Sequence, residues 1–246
     1  MRRDIDITTA DGVAKATFFR PDQQPVGKPA RGVIFYMDGM GPRDALFQMA
    51  QRLADAGYAV LLPDLFYRFG GYGPFSGASF SKEDERNKIM SMIRGTTQAM
   101  TKADTKAFID ALDAENIAGP LGVVGYCFGG GRALTAAASY PDRIAAAASF
   151  HGGNLAGDAE DSPHRLADKI KARVYVGVAG VDGSFPPEQS ARLAEALRVG
   201  GVDHMIENYV GMTHGWTVPD RDGVYDERGA ERHWKRLLAL FEEALG

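Results

Sequence analysis

Residues 121–134 read LGVVGYCFGGGRAL: an apolar run from Leu121 halts at Gly125, presents Cys127, and resumes as helix-forming sequence. A side chain held out on a sharp turn between a buried strand and a helix needs small residues on both sides. The backbone folds back tightly there, and the helix packs close to the strand it has just left. Gly125 and Gly129 meet that need, and Gly-x-Cys-x-Gly is the cysteine form of a nucleophile elbow, with Cys127 as candidate nucleophile. The stretch predicts a strand over Leu121–Tyr126 and a helix over Gly130–Ser139.

Working outward, the same buried-strand signature recurs. Gly32 to Met37 (GVIFYM) is a continuous apolar run ending in the turn Asp38-Gly39-Met40-Gly41-Pro42. From Asp44 to Ala56, Leu46, Met49, Ala50 and Leu53 recur at helical spacing, Gly57 closes the helix, and Tyr58–Pro63 is the next strand. Strand, helix, strand is the unit of a parallel sheet with a right-handed crossover. Further strands are expected over Ile144–Phe150, ending at His151, over Val174–Ala179, ending at Asp182, and over Met205–Tyr209, ending in Gly211–Gly215 with His214. Helices are expected over Thr101–Leu112, from Pro186-Pro187 to Leu197, and over Glu231–Leu245. At the start, Asp4–Thr9 and Lys15–Phe19 alternate around Asp11-Gly12 as an antiparallel hairpin at a sheet edge, and Pro21–Pro29 reads as a proline-rich loop. Between Asp64 and Met100 the pattern loosens into aromatics among glycines and a Met-rich helical stretch, Glu85–Met100. Residues 66–100 are thus either a flap over a pocket or an extended crossover. The class is α/β, one domain over 1–246, with a mostly parallel sheet flanked by helices on both faces.

Composition narrows the partner. The chain of 246 residues carries a formal net charge of −4 with Lys and Arg scattered, which argues against nucleic acid and anionic membrane and for a small molecule. A single cysteine excludes an intrachain disulfide, and no apolar stretch is long enough to span a bilayer, so a cytoplasmic location is expected. The His and Cys residues lack metal-ligand spacing, so no metal site is expected. Oligomeric state is not legible.

Chain order carries the chemistry. Cys127, Asp182 and His214 each follow an apolar strand, in the order nucleophile, acid, histidine that the α/β-hydrolase fold uses. His214 would take the thiol proton and return it to a leaving group, while Asp182 fixes its tautomer. The backbone N–H groups of Phe128 and Gly39 are the candidate oxyanion donors. His151 and Trp216 are candidate substrate-binding residues of the same cleft. His164, His204 and His233 fall on segments expected to be exposed and carry no role.

Gly-Tyr-Cys-Phe-Gly-Gly (125–130), with Asp182 and His214 so placed, resembles the dienelactone hydrolase family of α/β-hydrolases. The resemblance implies hydrolysis of a small carboxylic ester or lactone through an acyl-cysteine intermediate, without metal or organic cofactor. It also implies a thiol-activating glutamate after the strand that ends at Met37; Asp38, one methylene shorter, holds that place. Family members hold a substrate carboxylate with arginines, one a few residues after the catalytic histidine. Here His214-Gly215-Trp216-Thr217-Val218 follows instead, with Arg221 the first arginine. Apolar surface is therefore expected near the acyl site, with Arg43, Arg68 and Arg94 as alternative cations. A thioesterase or broad carboxylesterase on the same residues stays open, as does a non-catalytic binding or redox-sensing protein with a reactive thiol.

Overall fold

A computed structural model describes residues 1–21 and 30–246. In chain order the strands are β1 (Arg2–Thr9), β2 (Gly12–Phe19), β3 (Arg31–Tyr36), β4 (Tyr58–Pro63), β5 (Leu121–Tyr126), β6 (Ile144–Phe150), β7 (Arg173–Val181) and β8 (His204–Thr213). The helices are α1 (Asp44–Asp55), α2 (Glu83–Gly95), α3 (Gln98–Ala114), α4 (Phe128–Ser139), α5 (Pro187–Val199) and α6 (Glu227–Leu245). The strands form one sheet in the order β1-β2-β4-β3-β5-β6-β7-β8. β1 and β2 are the expected antiparallel hairpin at one edge, and β2 also runs antiparallel to β4, while all later pairings are parallel. Most of the expected proline-rich loop, residues 22–29, lies outside the described residues.

Helices cover both faces, and two glycines show it. Gly122 on β5 pairs in register with Val33 on β3, so neighbouring Gly32 points to the opposite face. A Cβ on Gly122 would meet Phe241 of α6, and one on Gly32 would approach Leu112 of α3. The two helices therefore lie on opposite sides of the sheet. α6 buries Ala230, His233, Trp234, Leu237 and Phe241, the i, i+3, i+4, i+7 stripe of a core-facing helix. Its first turn is capped by Asp226, whose carboxylate accepts the Gly229 N–H at 2.7 Å.

Three sequence expectations need correction. The Met-rich stretch and the helix after it divide at Thr96-Thr97 rather than Met100. Thr97 Oγ1 accepts the Met100 N–H and starts α3, while the Thr96 carbonyl is taken by Arg132 Nη2 at 2.6 Å. α4 begins directly after Cys127 rather than at Gly130. His233, expected to be exposed, is fully buried, because α6 starts at Glu227 and its phase turns residue 233 inward. Its Nδ1–H donates to Ala230 O at 2.6 Å, its Nε2 accepts from the Tyr126 hydroxyl at 3.1 Å, and burial pushes its pKa down to about 3.

Parallel register then assembles the cleft. Tyr36 pairs with Gly125, Tyr126 with Phe150, and, past a bulge between Ala179 and Val181, Val181 pairs with Thr213. One or two residues beyond each pairing lie Asp38 beside Cys127, Cys127 beside His151, and Asp182 beside His214. The carboxyl ends of adjacent strands thus deliver their polar residues to one rim, as open parallel sheets do. No helix among the described residues is long and apolar enough to cross a membrane.

Candidate active site

Cys127 occupies φ 54°, ψ −116°, a backbone conformation that costs a non-glycine residue about 1–3 kcal/mol and persists only when its surroundings over-determine it. The constraint is visible. The Cys127 N–H is shared between Phe150 O at 3.0 Å and His151 Nδ1 at 3.1 Å, and the Gly130 N–H donates to Cys127 O at 3.0 Å. A Cβ on Gly125 would stand 1.9 Å from Gly129 O, and one on Gly129 would stand 2.3 Å from Tyr36 O. The elbow is thus pressed against the end of β3, which brings Gly39 and Cys127 to one small space. Phe128 opens α4, so its N–H precedes that helix's own hydrogen-bond ladder.

His214 lines the same cavity as the Cys127 thiol, and its Nδ1–H donates to Asp182 Oδ2 at 2.6 Å. The Asp182 side chain is 3% exposed, and its Oδ1 accepts Ser184 N–H at 2.8 Å and Ser184 Oγ–H at 2.6 Å. Burial by itself disfavours charge at all three residues, yet their mutual attraction overcomes it. His214 is pushed up to about 10 by Cys127 and Asp182, and Asp182 is lowered by His214 and Ser184. The Cys127 thiol is lowered by His214, with a smaller contribution from the Gly39 N–H. The arrangement favours a thiolate–imidazolium pair at neutral pH.

His151 is buried and neutral, its pKa driven far down by burial and then by the neighbouring His214 charge. Since Nδ1 accepts from the Cys127 N–H, the ring proton sits on Nε2 and donates to Thr217 Oγ1 at 2.8 Å. One imidazole therefore links the elbow to the loop that carries His214. Trp216, expected in the cleft, is 0% exposed and lies behind it, tilted against Tyr209 (4.7 Å) and edge-on to His151 (5.0 Å). It supports His151 rather than facing a substrate. Gly215 is the reason: at φ +98° it turns the chain after His214 back into the core.

Asp38 lies beside the thiol, but Arg43 takes both of its oxygens, Nη1 on Oδ1 at 2.7 Å and Nη2 on Oδ2 at 2.9 Å. The expected thiol-activating carboxylate is therefore already engaged, and its residual charge opposes the thiolate. The alternative cations fare likewise. Arg43 is spent on Asp38 and Asp220, Arg68 on Asp11 and Asp104, and Arg94 is exposed on α2. The expected apolar surface near the acyl site is present, and Arg221 adds a cation to it. Its guanidinium carbon would lie 3.6 Å from a Cβ on Gly215, it stacks over Phe80, and among the described residues it makes no ion pair. With Cys127 and His214 it lines a cavity of about 450 Å³ whose apolar wall includes Phe80, Met90 and Ile93. Residues 66–100 thus contribute that wall. Arg132, 7% exposed, borders the same cavity, its Nη1 donating to Thr101 Oγ1 at 3.2 Å and its Nη2 to Thr96 O at 2.6 Å. Among those residues no three His, Cys, Asp or Glu side chains gather closely enough to hold a metal ion.

A predominantly parallel sheet, an elbow after its fifth strand, and an acid and a histidine after the seventh and eighth define an α/β-hydrolase. Residues 15–245 match the model of the Dienelactone hydrolase family. The chain belongs to that family and is a hydrolase of its type. It is 26% identical to Protein usf of Aquifex pyrophilus over 87% of this chain and 88% of that protein. It is also 26% identical to a Synechocystis protein provisionally named a carboxymethylenebutenolidase, over 87% and 86% of the two chains. Among solved structures, a Klebsiella pneumoniae protein provisionally named a dienelactone hydrolase superposes with a TM-score of 0.86 at 23% identity, covering 98% of both chains. A dienelactone hydrolase-like promiscuous phosphotriesterase from metagenomic libraries gives a TM-score of 0.79 at 26% identity, covering 99% of this chain and 98% of that one.

Proposed function

We propose that this chain hydrolyses a small carboxylic ester or lactone bearing an anionic group, through an acyl-cysteine intermediate. The observation that supports the chemistry is Cys127 and His214 lining one cavity, with His214 Nδ1–H bonded to Asp182 Oδ2 at 2.6 Å. The Cys127 thiolate adds to the carbonyl carbon, and the oxyanion takes N–H donors from Gly39 and Phe128. Collapse expels an alkoxide, which receives the proton held on His214. The now neutral imidazole, its tautomer fixed by Asp182, removes a proton from water, and the hydroxide displaces the thiolate from the thioester. The acid leaves, and the thiolate–imidazolium pair is restored.

The anionic preference is supported by Arg221 and Arg132, two guanidinium groups at one cavity, the first over Phe80 and the second bonded to Thr101 and the Thr96 carbonyl rather than to a carboxylate. Burial lowers Arg132 to about 10, so its field is little screened by water. Cys127→Ala is expected to abolish turnover of p-nitrophenyl esters, and mass spectrometry of wild type under substrate should detect acylated Cys127. Arg221→Met should cut kcat/KM for p-nitrophenyl hemisuccinate about tenfold or more while leaving p-nitrophenyl butyrate nearly unchanged. Wild-type rates in Cys127→Ala would defeat the mechanism, and an equal effect on both esters would defeat the substrate class.

A further inference from the structure

Arg43 uses all five of its N–H groups. Nη1 donates to Asp38 Oδ1 (2.7 Å) and Gly41 O (3.2 Å), Nη2 to Asp38 Oδ2 and Asp220 Oδ1 (both 2.9 Å), and Nε to Asp220 Oδ2 (2.6 Å). The side chain is 9% exposed. Each carboxylate also holds a backbone amide: Asp38 Oδ1 accepts the Met40 N–H at 2.9 Å, and Asp220 Oδ2 accepts the Gly77 N–H at 3.1 Å. Two segments meet on one planar cation, the loop after β3 with Gly39 and the loop after β8 with His214 and Arg221, and the chain before α2 with Gly77 and Phe80 joins them through Asp220. All three wall the space above Cys127.

Charge is the second part of the argument. Of the groups around the Cys127 sulfur, His214 favours the thiolate, Arg221 lines the same space, His151 is neutral, and Asp182 is paired to His214. The Asp38 carboxylate opposes it directly. A bidentate guanidinium cancels most of that opposition, and a buried carboxylate left without it would be strongly uncompensated.

We propose that Arg43 is a positioning residue with two separable roles. Its charge shields the thiolate from Asp38, and its rigid fork ties the Gly39 loop, the His214 loop and the Gly77 segment into one frame. The turnover half rests on the cysteine chemistry proposed above; the shielding half does not.

The test compares Arg43→Lys, Arg43→Met and the neutral pair Asp38→Asn/Arg43→Met with wild type. The readouts are the pH midpoint of Cys127 alkylation by iodoacetamide and kcat and KM for p-nitrophenyl acetate, with circular dichroism to check folding. Arg43→Met raises the alkylation midpoint by about one pH unit, and the neutral pair returns it to the wild-type value. Lysine keeps the charge but cannot grip four carboxylate oxygens at once, so Arg43→Lys keeps the midpoint and loses about tenfold in kcat with little change in KM. An unmoved midpoint in Arg43→Met, or one displaced by about a unit in the neutral pair, overturns the shielding. If Arg43→Met does not fold, the neutral pair decides alone. Wild-type kcat in Arg43→Lys overturns the tie. Alkylation needs no substrate, so a failed hydrolase reading leaves the shielding result standing.

Discussion

Replacing Gly129 by alanine tests how closely the elbow must approach β3. The added methyl carbon would lie 2.3 Å from Tyr36 O, 2.5 Å from Met37 O and 2.7 Å from Tyr36 C, all backbone atoms of a central strand that cannot rotate aside. Ordinary carbon–oxygen contacts are about 3.3 Å or more, so α4 and the end of β3 must separate by about 1 Å. Overpacking of this kind costs about 1–3 kcal/mol, partly offset by alanine's better helix propensity of up to about 1 kcal/mol. At roughly 2–4 °C per kcal/mol for a domain of this size, Tm should fall by several degrees. Activity should suffer more, because the same separation draws the Gly39 loop, which carries a proposed oxyanion donor, away from Cys127. Loss of one oxyanion donor costs about 10²–10³ in kcat, and a 1 Å misplacement about 10². The assay pairs thermal melts with p-nitrophenyl ester kinetics. Gly131→Ala is the stability control, since its methyl meets nothing closer than 3.4 Å and should leave Tm equal or higher. A Gly129→Ala protein with wild-type Tm and kcat would refute the reasoning.

Asp182→Asn removes the acceptor that fixes His214 and should lower kcat by about 10³–10⁴. Iodoacetamide labelling of Cys127 at neutral pH should slow with it, because a less basic His214 stabilises the thiolate less; unchanged labelling would show that Asp182 does not support the pair. Acid sensitivity is a separate expectation, carried by the buried His151 and His233, whose folded pKa values are depressed. Below about pH 6.5 the unfolded chain binds protons that the folded chain refuses, so stability present above that pH is lost on acidification, by about 1.4 kcal/mol per pH unit for each histidine. For His233 the loss continues to about pH 3. His214, with its raised pKa, is protonated in both states there and does not alter the slope. Urea unfolding of His233→Phe between pH 4 and 5.5 should show a slope shallower by about that amount. An identical slope would remove His233 from the account.

Much of this architecture was legible in the order of residues. Strands buried on both faces appear as unbroken apolar runs, and a nucleophile elbow requires glycines around Cys127 for steric reasons that any sequence reading can apply. The placement of Cys127, Asp182 and His214 after successive strands pointed to one rim, because parallel sheets collect their carboxyl ends there. Local signals were weaker where two readings shared one composition. The Thr96-Thr97 break depends on a cap and on a bond from Arg132, and the burial of His233 depends on the phase of α6, which a start four residues earlier than expected reveals.

The sequence by itself determined the fold class, the elbow and the placement of Cys127, Asp182 and His214 after their strands, since each follows from local sterics or strand order. Only the tertiary structure decided what surrounds them. Asp38 is bound by Arg43 instead of being free beside the thiol, Trp216 is turned into the core, and Arg221 reaches back to the cleft seven residues after His214. Those outcomes depend on where long side chains and loop ends meet in space, and charge pairing over such distances leaves no periodicity in the chain to read.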